Sequence, residues 1–323
     1  MSQAKAIFST EHDLNTSEQQ AFWQSVVQDT LIAADGITLA YMMVEHPQAH
    51  ATIVISSGRV ESYLKYQELV FDLYQQGYSV YAIDHRGQGL SDRMTSNPHM
   101  GHVQKFTDYV DDFALFIHTK VLPQNNKPLL LLGHSMGGAI GTLYLRQYPK
   151  IFTAAAFSAP MYGIKLPMPK KIVRWLASKL DSTLNGGEPN YVLGGQNYKP
   201  VSFNNNELTH CQSRYQAYRE LYDAVPKLQL GSPTNRWLIE ALNAADACVI
   251  ATAQMDTPIL VLQASEDRIV DNAAQNLAVS AHCQLKVITG AAHEIFIEKD
   301  AYRNQALNNV LDFFTHYAAE GKN

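Results

Sequence analysis

The chain has 323 residues, is 46% hydrophobic and 17% charged, and carries a formal charge of −5. That is the composition of a globular protein large enough for a sizeable core. An acidic chain without a long basic tail or a nucleic-acid module is not a general nucleic-acid binder. Cys211, Cys248 and Cys283 form no C-x-x-C pair and no even-numbered framework, so reduced, buried thiols are expected.

Residues Met1 to Thr30 carry acids and glutamines where a signal peptide would carry a basic start and an apolar centre. An uncleaved extension on a cytoplasmic protein is therefore expected over 1–30. No apolar run approaches the roughly 20 residues that span a bilayer, so any membrane association would be peripheral. Beyond this extension, short aliphatic runs alternate with amphipathic stretches, the pattern of a mostly parallel sheet covered by helices on both faces.

Thr38 to Val44 reads as an early antiparallel strand, followed by central strands at Thr52 to Ser56 and Ser79 to Asp84. Between these last two, Ser62 to Gln76 sets Tyr63, Tyr66, Val70 and Leu73 on one helical face and ends at Gly77, which suits a C-terminal cap. The stretch Asp84-His85-Arg86-Gly87-Gln88-Gly89 lacks the Gly-Lys-Ser/Thr ending of a phosphate loop and reads as a tight turn propping a site rim. His99 and His102 follow in a Pro- and Gly-containing loop with no companion ligands, so no metal site is expected there. Phe106, Val110, Phe113, Ile117 and Val121 mark a second covering helix, with acids in its first turn and Lys120 in its last.

Leu129 to Leu132 is a buried-strand run leading straight into Gly133-His134-Ser135-Met136-Gly137-Gly138 and then a helical pattern. Gly-x-Ser-x-Gly between strand and helix is a nucleophile elbow, where small residues permit a turn that exposes the serine. Ser135 is the candidate nucleophile.

After a strand at Ala154 to Phe157 the alternation breaks. Residues 161–236 are rich in proline and in the glycine pairs 186–187 and 194–195, which reads as a lid inserted into one domain. The expected layout is a hydrolase core of 31–160 and 237–323 carrying a cap of 161–236. Strands Ile259 to Gln263 and Leu285 to Ile288 then complete the sheet.

A serine needs a base, and the base needs a carboxylate to hold its tautomer. The first of these last strands leads into Ser265-Glu266-Asp267 and the second into Ala291-Ala292-His293, giving the chain order nucleophile, acid, histidine. His293 is the candidate base and Asp267 the candidate acid, with Glu266 a chemical near-equal and Asp271 an alternative that could instead cap the next helix. The oxyanion donors would be the backbone N–H of Met136 and, from the loop Ser57-Gly58-Arg59-Val60-Glu61, that of Arg59.

These motifs resemble the α/β-hydrolase superfamily and, within it, the monoglyceride-lipase-like serine hydrolases. Gly58 to Tyr63, Asp84 to Gly89, Pro98 to Val103, Asp108 to Asp112, His134 to Ile140, Ala159 to Ile164, Leu208 to His210, Val270 to Asn272, His293 to Ile295 and Glu298 to Asp300 are similar to bacterial lysophospholipases of the L-two type. The resemblance covers nearly the whole chain after its first thirty residues. It implies hydrolysis of the one remaining acyl ester of a lysophospholipid, at the inner membrane of a Gram-negative bacterium. The pattern departs from the wider family in having Ser57-Gly58 in place of His-Gly and Arg59 in place of a small residue, which makes the mouth of the site more polar.

Residues 161–180 hold Lys165, Lys170, Lys171, Arg174 and Lys179 and no acid. Ile172, Val173, Trp175, Leu176 and Leu180 could share an apolar side with the cations snorkelling around it, to rest on an anionic bilayer. The other reading packs Trp175 and the aliphatics on the core and leaves the lysines as a solvated face. The expected partner is a lysophospholipid or other monoacyl lipid, with an anionic membrane surface second; no cofactor, metal or nucleic acid is implied. The alternative activities are monoacylglycerol lipase or general carboxylesterase, and, more remotely, a silent binding protein on a hydrolase fold.

Overall fold

The computed structural model describes residues 6–320. Eight strands form one sheet: β1 (Val27–Ile32), β2 (Thr38–Val44), β3 (Ala51–Ser56), β4 (Tyr78–Ile83), β5 (Leu129–His134), β6 (Ala154–Ser158), β7 (Ile259–Ala264) and β8 (Cys283–Ile288). Their spatial order is β1-β2-β4-β3-β5-β6-β7-β8. β2 is antiparallel to both neighbours, and from β4 to β8 every pairing is parallel.

Period-two alternation splits the central strands between two apolar layers. In β5, Leu129 and Leu131 face one layer with Phe113, Met136, Ile140 and Trp237, while Leu130 and Leu132 face the other with Leu69, Val70, Leu307 and Phe314. Both faces are thus covered by helices, and full burial of each such side chain contributes about 1.5–3 kcal/mol. The expected helices lie over these faces. The first opens as a 3-10 turn at Tyr63–Tyr66, continues over Gln67–Gln75 and closes at Gly77 with φ +83°. The second runs over Phe106–Phe116 and extends through a π turn to Val121.

β1 was not foreseen. Val27–Ile32 is an edge strand with five of its six residues exposed, so it lacks the apolar alternation by which the others are recognised. β8 also begins two residues earlier than expected.

The chain leaves the sheet after Ser158 and re-enters it at Ile259, passing through helices Lys170–Leu180, Gln212–Ala224 and Asn235–Thr252. The last of these returns Trp237, Ala241, Ala244 and Cys248 to the main core. The middle one packs Tyr215, Tyr218 and Tyr222 with Leu228 and Ile297 in a separate cluster. Arg214 on this helix is buried and reaches Glu68 and Asp300, each at 2.7 Å, while the Glu11 N–H donates to Asp300 and Ser9 Oγ to Asp72. All three cysteines are free and buried.

Two expectations for the helix Lys170–Leu180 are corrected. Lys170 and Arg174 do not flank an apolar side as free cations: both pair with Asp246 on the helix Asn235–Thr252, Arg174 at 2.9 Å. Val173 and Ala177 face inward, whereas Ile172 (46% exposed) and Trp175 (59% exposed) face outward, so the apolar residues occupy two faces rather than one. Asp246, 76 residues from Lys170 and 72 from Arg174 in sequence, receives both cations, while Val173 and Ala177 supply the buried face. Lys171 and Lys179 remain exposed.

Candidate active site

Ser135 sits at the turn between β5 and the helix Met136–Gln147, with φ +50° and ψ −115°. A non-glycine residue in that region stores on the order of 1–3 kcal/mol of strain, which the surrounding packing must offset. The glycines explain how. A Cβ at Gly137 would overlap the Ser56 carbonyl oxygen, and one at Gly133 would lie 2.8 Å from Phe157 Cδ1. The helix can therefore start hard against the end of β3 only because position 137 has no side chain.

His293 follows β8 and Asp267 follows β7, so both arrive at the carboxyl edge of the sheet beside Ser135. His293 Nε2 lies 3.0 Å from Ser135 Oγ, and His293 Nδ1 lies 2.7 Å from Asp267 Oδ2. An ionised carboxylate can only accept, so Nδ1 carries the proton and Nε2 is left to accept from the serine hydroxyl. Asp267 Oδ1 accepts from the N–H groups of Ile269 (2.7 Å) and Val270 (3.0 Å). Burial pushes the Asp267 carboxyl up, but His293 and these two N–H donors outweigh it and hold the group below the usual carboxylate range.

The two alternative acids go elsewhere. Glu266 is exposed and lies 3.5 Å from His210, and Asp271 accepts from the Ala273 N–H as the cap of the helix Asn272–Leu277. His134 packs against His293, ring centroids 4.8 Å apart, and burial lowers its pKa to about 4, so it stands beside the pair as a neutral imidazole at neutral pH.

The loop after β3 is fixed by its neighbours. The Gly58 N–H donates to Glu61 Oε2 at 2.6 Å and the Val60 N–H to Gln88 Oε1 at 3.2 Å, while no hydrogen bond among the described residues engages the Arg59 N–H. Gln88 Nε2 donates to the carbonyls of Gly58 and Glu61, and Asp84 accepts from Ser62 Oγ and the Tyr63 N–H. The turn 84–89 thus props this loop. Met136 is the first residue of its helix, where N–H groups have no intrahelical acceptor. His99 and His102 meet different partners, Gln229 and Thr234, rather than one point.

Sequence reasoning missed a buried ion cluster beneath the site. Lys65 Nζ lies 2.9 Å from Glu61 Oε1 and 2.6 Å from Glu294 Oε1, and its ammonium faces the Tyr218 ring. Burial opposes ionisation of Glu61, but Lys65, His134 and the Tyr66 hydroxyl hold its carboxyl down at about 2. Glu61 also holds the Gly58 N–H, and Glu294 adjoins His293, so one ammonium ties the two loops together. The i, i+4 spacing of Glu61 and Lys65 was visible in the sequence; the third member was not.

Above the serine opens a cavity of about 390 Å³, lined by apolar residues such as Met161, Ile164, Leu238 and Val270 together with Arg59 and Arg219. Glu298 accepts from the N–H groups of Ala292 and His210, joining the histidine loop to the segment between β6 and β7.

Residues 47–300 match the family model described as serine aminopeptidase, S33. The chain belongs to the S33 family of α/β hydrolases. It is 36% identical over 315 residues to lysophospholipase L2 of Escherichia coli, covering 94% of this chain and 91% of that one. It is 30% identical over 275 residues to mouse monoglyceride lipase, covering 83% and 84%. The solved structure of a monoglyceride lipase from Saccharomyces cerevisiae superposes with a TM-score of 0.71 at 19% identity, over 90% of this chain and 94% of that one. A carboxyl esterase from Bacillus coagulans gives 0.71 at 15% identity, over 91% and 99%. At those identities the two structures speak for the shared fold alone.

Proposed function

We propose that this S33 hydrolase is a serine lysophospholipase, with Ser135 as nucleophile, His293 as base and then acid, and Asp267 as the orienting carboxylate. The observation that carries the reading is the hydrogen-bonded chain Asp267–His293–Ser135 opening into a largely apolar cavity, in a protein 36% identical to a lysophospholipase. In the forward step Ser135 Oγ attacks the acyl carbonyl while His293 Nε2 takes its proton, and the Met136 and Arg59 N–H groups receive the developing oxyanion. Collapse breaks the ester bond, and His293 returns the proton to the departing glycerophospho-alcohol. Water, deprotonated by His293, then attacks the acyl-Ser135 ester, and His293 returns that proton to Ser135 Oγ as the acyl–oxygen bond breaks and the fatty acid leaves. Named residues handle every proton and charge in this cycle, so none of its steps calls for a metal or cofactor.

The test is side-by-side turnover of lysophosphatidylethanolamine, a monoglyceride of the same acyl chain and a short-chain ester, with fluorophosphonate labelling of the native protein and of Ser135→Ala. Labelling that depends on Ser135, with lysophospholipid the best substrate, is expected. A monoglyceride preference would favour the lipase relatives instead, and folded protein that does not label would sink the catalytic assignment.

The cap supports a peripheral membrane reading, on the cytoplasmic face of an anionic bilayer. No helix among the described residues is long and apolar enough to cross a membrane. The outward face of Lys170–Leu180 instead presents Ile172 and Trp175 beside Lys171 and Lys179, an apolar stripe rimmed by cations. Co-sedimentation with anionic but not neutral vesicles, weakened by salt and by Trp175→Ala, is expected; equal partitioning onto both, unaffected by salt, would remove the electrostatic part.

A further inference from the structure

Two guanidinium groups line the cavity above Ser135, and neither pairs with a carboxylate among the described residues. Arg59 donates through Nη2 to the Gly231 carbonyl at 2.6 Å and lies over the Trp237 ring, 5.1 Å from its centroid. Its Nε is buried with no acceptor. Burial lowers its pKa to about 10, which leaves it charged at neutral pH. Arg219 donates to the hydroxyls of Tyr198 (3.1 Å) and Tyr215 (3.0 Å), packs against the rings of Tyr198, Tyr215 and Tyr218, and likewise has a buried Nε with no acceptor.

The two side chains come from distant parts of the chain, yet both line this one cavity, and the segments that hold them touch. One helical turn beyond Arg219, the Tyr222 hydroxyl donates to the Val60 carbonyl, the residue after Arg59, at 2.5 Å. Gly231, which holds Arg59, packs against the backbone of Tyr198, which holds Arg219. The remaining lining cation, Lys65, is already neutralised by Glu61 and Glu294. Three cations against two carboxylates leave the cavity positive, and the excess resides on the two arginines.

A buried N–H left without an acceptor is costly unless something else supplies one. A neutral glyceride offers no counter-charge. A phosphodiester does, with oxygens spaced for the guanidinium fork. We propose that Arg59 and Arg219 form an anion subsite for the phosphodiester of the lysophospholipid head group, and that this subsite sets the preference for lysophospholipid over monoglyceride. The inference rests on the lysophospholipase reading and specifies its selectivity; Arg219 then is a specificity residue that sequence reasoning did not single out.

The experiment measures the ratio of kcat/KM for lysophosphatidylethanolamine to that for a monoglyceride of the same acyl chain, in native protein, Arg219→Gln and Arg219→Lys. In parallel, glycerophosphoethanolamine, inorganic phosphate and glycerol are tried as inhibitors of short-chain ester hydrolysis, and fluorophosphonate labelling reports an intact site in every variant. Arg219→Gln should lower the ratio roughly tenfold or more, mainly through KM for the lysophospholipid, with Arg219→Lys between it and native protein. Glycerophosphoethanolamine should inhibit native protein at lower concentration than inorganic phosphate or glycerol, and lose that advantage in Arg219→Gln.

A ratio unchanged in Arg219→Gln, or equal inhibition by the three compounds, overturns the subsite. Should Arg219→Gln fail to label, Arg219→Lys decides in its place, and a native ratio there is equally fatal. Native protein that labels but prefers monoglyceride refutes the lysophospholipase reading itself, whereas native preference for lysophospholipid with an unmoved variant ratio refutes only the arginines.

Discussion

Lys65→Met isolates what the buried ammonium does. In the native protein it lies within 2.9 Å of one carboxylate and 2.6 Å of another, and the three side chains are 2%, 2% and 7% exposed. Removing the cation while keeping its volume leaves two buried carboxylates with no partner charge, a change that costs about 3–5 kcal/mol. At roughly 2 cal/mol/K of unfolding entropy per residue, that lowers Tm by about 4–7 °C for a chain of this length at pH 8. The pH dependence carries the sharper signature. Native Glu61 is held near 2 against an ordinary 4.5, so its contribution is present above 4.5 and fades as pH falls toward 2. Burial already raises native Glu294 above 4.5 despite Lys65; without the ammonium it raises Glu61 as well and Glu294 further, so stability is instead lost as pH rises through those raised values. The deficit of Lys65→Met relative to native protein should therefore be larger at pH 8 than at pH 5, where the folded variant keeps protons on its carboxyls. Thermal melts at the two pH values read this directly. A deficit below 2 °C that is the same at both would refute the electrostatic account.

Other outcomes follow from single contacts. Gly137→Ala drives a methyl into the Ser56 carbonyl and should displace one wall of the oxyanion site, lowering kcat about 10²-fold or more in steady-state assays. Asp267→Asn should lower kcat by about 10⁴ by losing the tautomer-holding acceptor. Because native Asp267 is held below 3.8, its stabilisation is present above that value and lost as pH falls, so an acid titration of the Asn variant should show a flatter acid limb. Asp246→Asn releases Lys170 and Arg174 from partly exposed pairs, which contribute about 0–1 kcal/mol, so Tm should barely move while sedimentation with anionic vesicles increases.

Much of this architecture was legible because it is written locally. The apolar runs of β3 through β7 are continuous, as strands covered on both faces must be, and Gly133 and Gly137 announce a tight turn wherever they occur. Ser135 and Asp267 sit just past such runs and His293 follows the half-exposed β8, so chain order placed all three after strand ends. What escaped depends on contacts between distant segments. Val27–Ile32 becomes a strand by pairing with β2, with no apolar pattern of its own. Lys170 and Arg174 read as free cations because Asp246 is far away in sequence. Arg219 lies in a Tyr- and Arg-rich helix within the expected lid, where only the fold shows three tyrosines turned inward.

The charge cluster around Arg214 has a mechanical meaning for the cap. The helix Gln212–Ala224 is clasped at once by the start of the chain through Ser9, by Glu68 and by Asp300 at the head of the final helix. Swinging that helix outward would strip a buried guanidinium of both its carboxylates, so it behaves as part of the frame. The segments that could admit an acyl chain by moving are those outside this clasp: Lys170–Leu180, held by half-exposed pairs, and the proline- and glycine-punctuated run that follows it. A substrate's way in would then pass along the side of the molecule that carries the helix Lys170–Leu180, while the opposite wall, carrying Arg219, keeps its position from one turnover to the next.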